Sequence, residues 1–124
     1  MLYIVLLYLG SGIIALWGIA HLIPTVSIVR GFRVISRDNR LVITMDWIAE
    51  GLTLIFIGFL IFFMTLIAGP GTAGARVVYR LCFGMLVTLS ILSFFTDTRT
   101  SILPMKICPF VKLLVAAFLV PNMI

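Results

Sequence analysis

Charge is what this chain has least of: 10% of its 124 residues are charged, four of them acidic, and there is one histidine, His21, and two cysteines. Each shortage excludes something. Soluble domains carry about a quarter of their residues as charge, so 10% charged beside 63% hydrophobic and a mean hydropathy of +1.30 exclude that class and point to an integral membrane protein. A lone His leaves no HxxxH or ExxH pair for a divalent ion, so no metal site is expected, and it permits bis-His haem ligation only across a dimer. With no CxxC in the chain, thiol redox chemistry has no motif to work from. Cys82 and Cys108 fall near opposite ends of two different apolar runs, whereas a disulfide needs α-carbons within about 7 Å. Both read as small packing residues.

Long apolar runs are what the chain has in abundance. Four can be marked, at about 2–29, 41–68, 76–97 and 102–121, each long enough at ~1.5 Å per residue to cross or nearly cross a ~30 Å hydrocarbon layer. Their continuous apolarity excludes a barrel, whose strands alternate. The breakers "RGFRVISRDNR", "GPGTAGA" and "DTRTSILP" separate them. The expected fold is an all-α membrane protein, a single transmembrane domain built as a four-helix bundle with short connections. "MLYIVLLYLG" has no Lys or Arg ahead of its apolar core, so the first run reads as a retained helix instead of a secretory signal. The fourth carries Pro104 and Pro109 near its start, Lys112 inside it and Pro121 near its end.

Basic residues orient such a bundle. Arg30, Arg33, Arg37 and Arg40 follow the first run, and Arg99, Lys106 and Lys112 lie around the third connection, against Arg76 and Arg80 around the second. Seven against two puts connections one and three in the cytoplasm and both termini outside. The formal charge of +5 is thereby a topological signal and an attraction for anionic headgroups, not a nucleic-acid surface.

Every acid then falls on one side. Asp38 is in the first connection, Asp46 and Glu50 are early in the second helix, and Asp97 ends the third. From Gly51 to Ala68 there are 18 residues, about 27 Å of helix, which sets Glu50 at the edge of the hydrocarbon and Asp46 in the headgroups. One reading is an interfacial anchor, with the two carboxylates pairing with Arg37, Arg40 or Arg99 and Trp47 in an aromatic belt. The other follows from spacing: Asp46, Glu50 and Thr53 share a face, and an intramembrane acid turns inward toward a partner. His21 is the expected partner, since the first two helices are antiparallel neighbours. Trp17, His21 and Pro24 lie on one face, Gly10, Ser11, Ala15 and Gly18 allow close approach, and Pro24 should kink the helix and open a small cavity beside His21. Ser90, Ser93 and Asp97 form a third polar stripe.

The candidate ligand-binding residues are therefore His21, Asp46, Trp47, Glu50, Trp17 and Asp97. Such a cluster could relay a proton between Glu50 and His21, or give a polar anchor to a lipophilic molecule, a lipid, quinone or sterol-like compound, lodged between helices. Catalytic residues and cofactor are not legible.

"GIAHLIPT", with a His closing the first helix, followed by "MDWIAEG", with Trp and Glu opening the second, resembles the DoxX-like group of small four-helix membrane proteins. The resemblance implies the same topology over the whole chain, carries over His21, Trp47 and Glu50, and implies a role beside quinone-linked oxidoreductases for some members. Asp46 and the basic "RGFRVISRDNR" segment do not belong to that pattern. Small multidrug transporters also use four helices, but with an essential Glu in the first, where this chain has no acid. The functions in order are a lipophilic-ligand-binding protein or accessory subunit, with a membrane-protein partner or a second copy; a proton-coupled small transporter; and a membrane-embedded enzyme.

Overall fold

The structure, a computed structural model, describes residues 1–31, 34–101 and 103–124. Arg33, counted above among the basic residues, lies outside them, as does Ile102 at the start of the fourth expected helix. Among the described residues the chain is helical with no strand. The elements are α1 (Leu2–Leu22), α2 (Thr25–Gly31), α3 (Arg37–Ile67), α4 (Ala73–Thr96), a 3-10 turn at Asp97–Arg99, α5 (Leu103–Leu119) and a second 3-10 turn at Val120–Asn122. Four of the helical spans are long and apolar enough to cross a membrane.

The first expected helix is divided. Pro24 has no N–H to donate one turn back, and the chain breaks there instead of merely kinking, so α2 starts afresh at Thr25. The second begins four residues earlier than residue 41, because Ser36 caps it, its side chain accepting from the Asn39 N–H. Thr72 does the same for α4 through the Ala75 N–H. Between them Gly69, at φ +77°, supplies the left-handed residue that ends α3 ahead of Pro70. Pro109 lies inside α5, where the Ser90 hydroxyl donates to its carbonyl at 2.7 Å.

The helices pack as a ring in which α1 adjoins α3 and α5, and α4 adjoins α3 and α5, leaving α3 and α5 on one diagonal and α1 and α4 on the other. The α1–α3 seam is the most extensive and is made by small residues. A methyl group on Gly18 would come within 2.7 Å of the Gly51 carbonyl, and one on Gly58 within 2.8 Å of the Ser11 carbonyl and the Ala15 side chain. Backbones this close rely on missing side chains, as expected where lipid supplies no hydrophobic drive. Gly10 instead faces Val115 and Phe118 of α5.

Leu7, Ile14, Leu54, Ile61, Leu86 and Val115 fill the interior. Phe56, Phe59, Phe63, Phe94, Phe95 and Phe110 are exposed, the pattern of a lipid-facing belt, where a water-soluble protein would carry charge. One end of the bundle is closed by a buried Thr65–Tyr79 hydroxyl pair at 2.8 Å, by the Arg80 Nε donating to the Met123 carbonyl, and by the Asn122 amide donating to the Tyr3 carbonyl. The other, arginine-rich end holds Arg30, Arg37, Arg40 and Arg99.

Candidate functional site

The buried stripe of α1 runs through Leu7, Gly10, Ser11, Ile14, Gly18 and His21, a helical repeat that carries the only histidine inward at the arginine-rich end. Because α1 stops there, its last carbonyls lack helical donors. Two find side chains: the Leu22 carbonyl accepts from the Thr25 hydroxyl at 2.6 Å, and the His21 carbonyl accepts from the Trp47 indole N–H at 2.6 Å. Trp47 also lies flat on the imidazole, ring centroids 4.0 Å apart and planes 14° from parallel. One tryptophan thus fixes both the backbone and the ring of His21.

Glu50, one turn beyond Asp46 on α3, sets Oε2 at 3.6 Å from His21 Nε2. The expected neighbourhood of these two residues is present. Nε2 is buried and has no hydrogen-bond partner among the described residues, since 3.6 Å exceeds a hydrogen bond.

Glu50 does not pair with Arg37, Arg40 or Arg99, its partners in the anchor reading. Its Oε1 accepts from Lys112 of α5, whose ammonium also donates to the Ser93 hydroxyl of α4 at 2.5 Å. Lys112 is completely buried. It belongs to the interior and not to the charge at the membrane surface, and removing it from the topological tally leaves six against two. Its position follows from helix direction. The residue is near the midpoint of the Leu103–Asn122 span, α5 starts at the arginine-rich end, and helical side chains lean toward their N-terminus. The ammonium is therefore delivered toward Glu50, itself on a helix that starts at that end. Sequence reading missed this partner, although a signal existed: a cation inside an apolar span needs a counter-charge as much as an acid does.

Asp97 is buried beside this pair and accepts from the Thr96 hydroxyl at 3.0 Å. A carboxylate oxygen of Glu50, one of Asp97 and the Cys108 sulfur lie within 4.8 Å of one another. That set resembles a cation cradle, but Lys112 already brings a tethered positive charge to Glu50, which disfavours a second cation at the same oxygens. Asp46 stands apart. It is exposed, and among the described residues it joins neither the cluster nor the cavity.

Beside the cluster is a cavity of about 580 Å³. Trp17, Ala20 and His21 of α1, Pro24 and the α2 residue Ile28, Trp47 of α3, and the first turns of α5 from Leu103 to Cys108 form its wall. It lies where α1 ends and α2 begins, at Pro24, so a cavity is present beside His21, as the proline led one to expect. The wall is almost entirely apolar, with His21 the ionisable side chain that reaches both it and Glu50. Cys108, expected only to pack, forms part of this wall and accepts the Trp17 indole N–H at 3.4 Å. Two of the cavity's lining residues, Leu103 and Ile107, are exposed large apolar side chains.

The site therefore has two compartments that share His21: an apolar chamber sized for a small molecule, and behind it a charged pair secured by a serine. Comparison with family models, with curated proteins and with solved structures finds no match for this chain.

Proposed function

We propose that this small multi-pass membrane protein binds a lipophilic molecule with one polar group, a lipid, quinone or sterol-like compound, in the chamber between α1, α2 and α5. The observation that carries the reading is the union of a 580 Å³ apolar cavity with a wall imidazole, His21, backed by Glu50. Ligand sites of this kind are mostly apolar with a few convergent polar groups. Inside a bilayer a greasy ligand gains little merely by leaving lipid. Selection must then come from shape, from the faces of Trp17 and Trp47, and from a hydrogen bond at the imidazole.

The positions carried over from the DoxX-like resemblance, His21, Trp47 and Glu50, lie side by side, as one ligand-holding site requires. On that reading it is a ligand-holding subunit whose first and third connections face the cytoplasm. A second reading, proton-coupled transport, is favoured by one feature: a carboxylate flanked by an imidazole and an ammonium within an apolar bundle. It requires pH-driven flux in vesicles, which a binding protein lacks.

Native mass spectrometry of the gently solubilised protein tests the first reading. Ala20 lines the cavity yet is an exposed residue, so Ala20→Trp fills the chamber without crowding the core. A small molecule retained by the wild type and lost in Ala20→Trp supports the proposal. Bare chains in both samples would overturn it.

A further inference from the structure

On the other side of α2 from the chamber is a smaller cleft, about 190 Å³, lined by Thr25, Val26, Val29 and Arg30 of α2 and by Arg40 and Thr44 of α3. Arginines from two separate helices are among its lining residues. Among the described residues neither has a carboxylate within salt-bridge distance, the ion pairs being those of Glu50 with His21 and Lys112. Thr25 and Thr44 already donate their hydroxyl protons, to the Leu22 and Arg40 carbonyls, so they offer oxygens and no free donor. Any ligand here is met by arginine donors alone, which selects an anion.

Position strengthens the case. Arg40 lies one turn into α3, a 31-residue helix whose first turn carries partial positive charge. Arg37 and Asp38 of that first turn offset one another in charge, so Arg40 adds a net cation near the positive end of the helix, which an anion would relieve. Val26 is 60% exposed at the edge of the cleft, an apolar lip next to the paired arginines. The cleft sits at the arginine-rich end, level with the membrane surface if the spans lie across a bilayer.

We infer that Arg30 and Arg40 form a clip for a phosphate group, with the chemistry of an anionic phospholipid headgroup or of a free phosphate ester. Arginine suits it because its planar fork holds two phosphate oxygens at once. The clip is independent of the chamber, whose wall uses Pro24 and Ile28 on the other face of α2.

The test is native mass spectrometry of the detergent-solubilised full chain titrated with phosphatidylglycerol and with phosphatidylcholine of the same acyl chains. The wild type should retain phosphatidylglycerol in preference. Arg30→Gln/Arg40→Gln should lose that retention by about thirtyfold, the scale of two headgroup-range charges at about 1 kcal/mol each, while Arg76→Gln/Arg99→Gln, equal in net charge, should keep it. Circular dichroism of each variant confirms helix content, and Arg30→Lys/Arg40→Lys, with charge kept and the fork removed, should fall between. Glycerol 3-phosphate added in competition names the source: displacement of the lipid assigns the clip to the phosphate alone, and persistence assigns it to the lipid as a whole. Unchanged retention in Arg30→Gln/Arg40→Gln, or equal loss in Arg76→Gln/Arg99→Gln, overturns the proposal.

Discussion

Lys112 of α5 and Glu50 of α3 meet across a diagonal of the bundle, on two helices that do not otherwise form a main seam. Through them the polar groups of all four spans are joined, His21 of α1 on one side and Ser93 of α4 on the other. Removing the carboxylate strands the buried ammonium, and removing the ammonium leaves the half-buried carboxylate with His21 alone beside it. Glu50→Gln or Lys112→Met alone should therefore lower stability by about 3–5 kcal/mol. The double variant Glu50→Gln/Lys112→Met should recover most of the loss, since a neutral pair strands no charge. A double-mutant cycle by reversible unfolding in mixed micelles measures this; additive losses would show that the two residues act separately.

The α1–α3 seam sets a different limit. A side chain at Gly18 would enter the Gly51 backbone, so relief requires the helices themselves to separate. Gly18→Val is expected to cost about 1–3 kcal/mol, whereas Gly12→Val, where a Cβ meets nothing within 4 Å, should be close to neutral. The same unfolding assay distinguishes them.

Cys108 and Cys82 are both buried and free, but only Cys108 borders the chamber. A small membrane-permeable thiosulfonate should modify Cys108 first, giving a single adduct located by peptide mass spectrometry. Ala20→Trp should slow that reaction and leave Cys82 as it was. Equal rates at the two thiols would mean that the chamber does not admit small molecules.

The surplus of basic residues around the first and third connections gives a topology that can be read directly. In intact cells a membrane-impermeant maleimide should label a Gly71→Cys variant, and should label Ser36→Cys only after permeabilisation. The native thiols are buried and add little background. The reverse pattern would invert the proposed orientation.

The spans were legible because continuous apolarity over about 20 residues has few other outcomes. Helix ends were less so: Ser36 and Thr72 cap α3 and α4 several residues ahead of the apolar runs, because capping depends on local polar residues and not on hydropathy. His21 and Glu50 could be grouped from helix faces, whereas Trp47 joined them only through the motif that carries the resemblance. Lys112 could not be placed while it was counted as a surface charge, since its partner lies on a helix 62 residues away in sequence and only the ring order of the helices brings them together. Asp46 shares the face of Glu50 on a helical wheel, yet one turn of axial rise carries it clear of the cluster.

The buried ion pair also has a consequence for biosynthesis. The third helix, α3, is made and must enter the membrane while Glu50 still lacks its ammonium, for Lys112 emerges 62 residues later. Until then the acid has His21 for company and α3 relies on its apolar surplus to stay inserted. The α5 span in turn carries a lysine that costs about 2.5–3.5 kcal/mol at a helix centre when inserted alone. Its threading is favoured most when the first three spans are assembled and Glu50 is waiting. Insertion of α5 and neutralisation of the charge on Glu50 are thus coupled, each span supplying the counter-ion that the other needs.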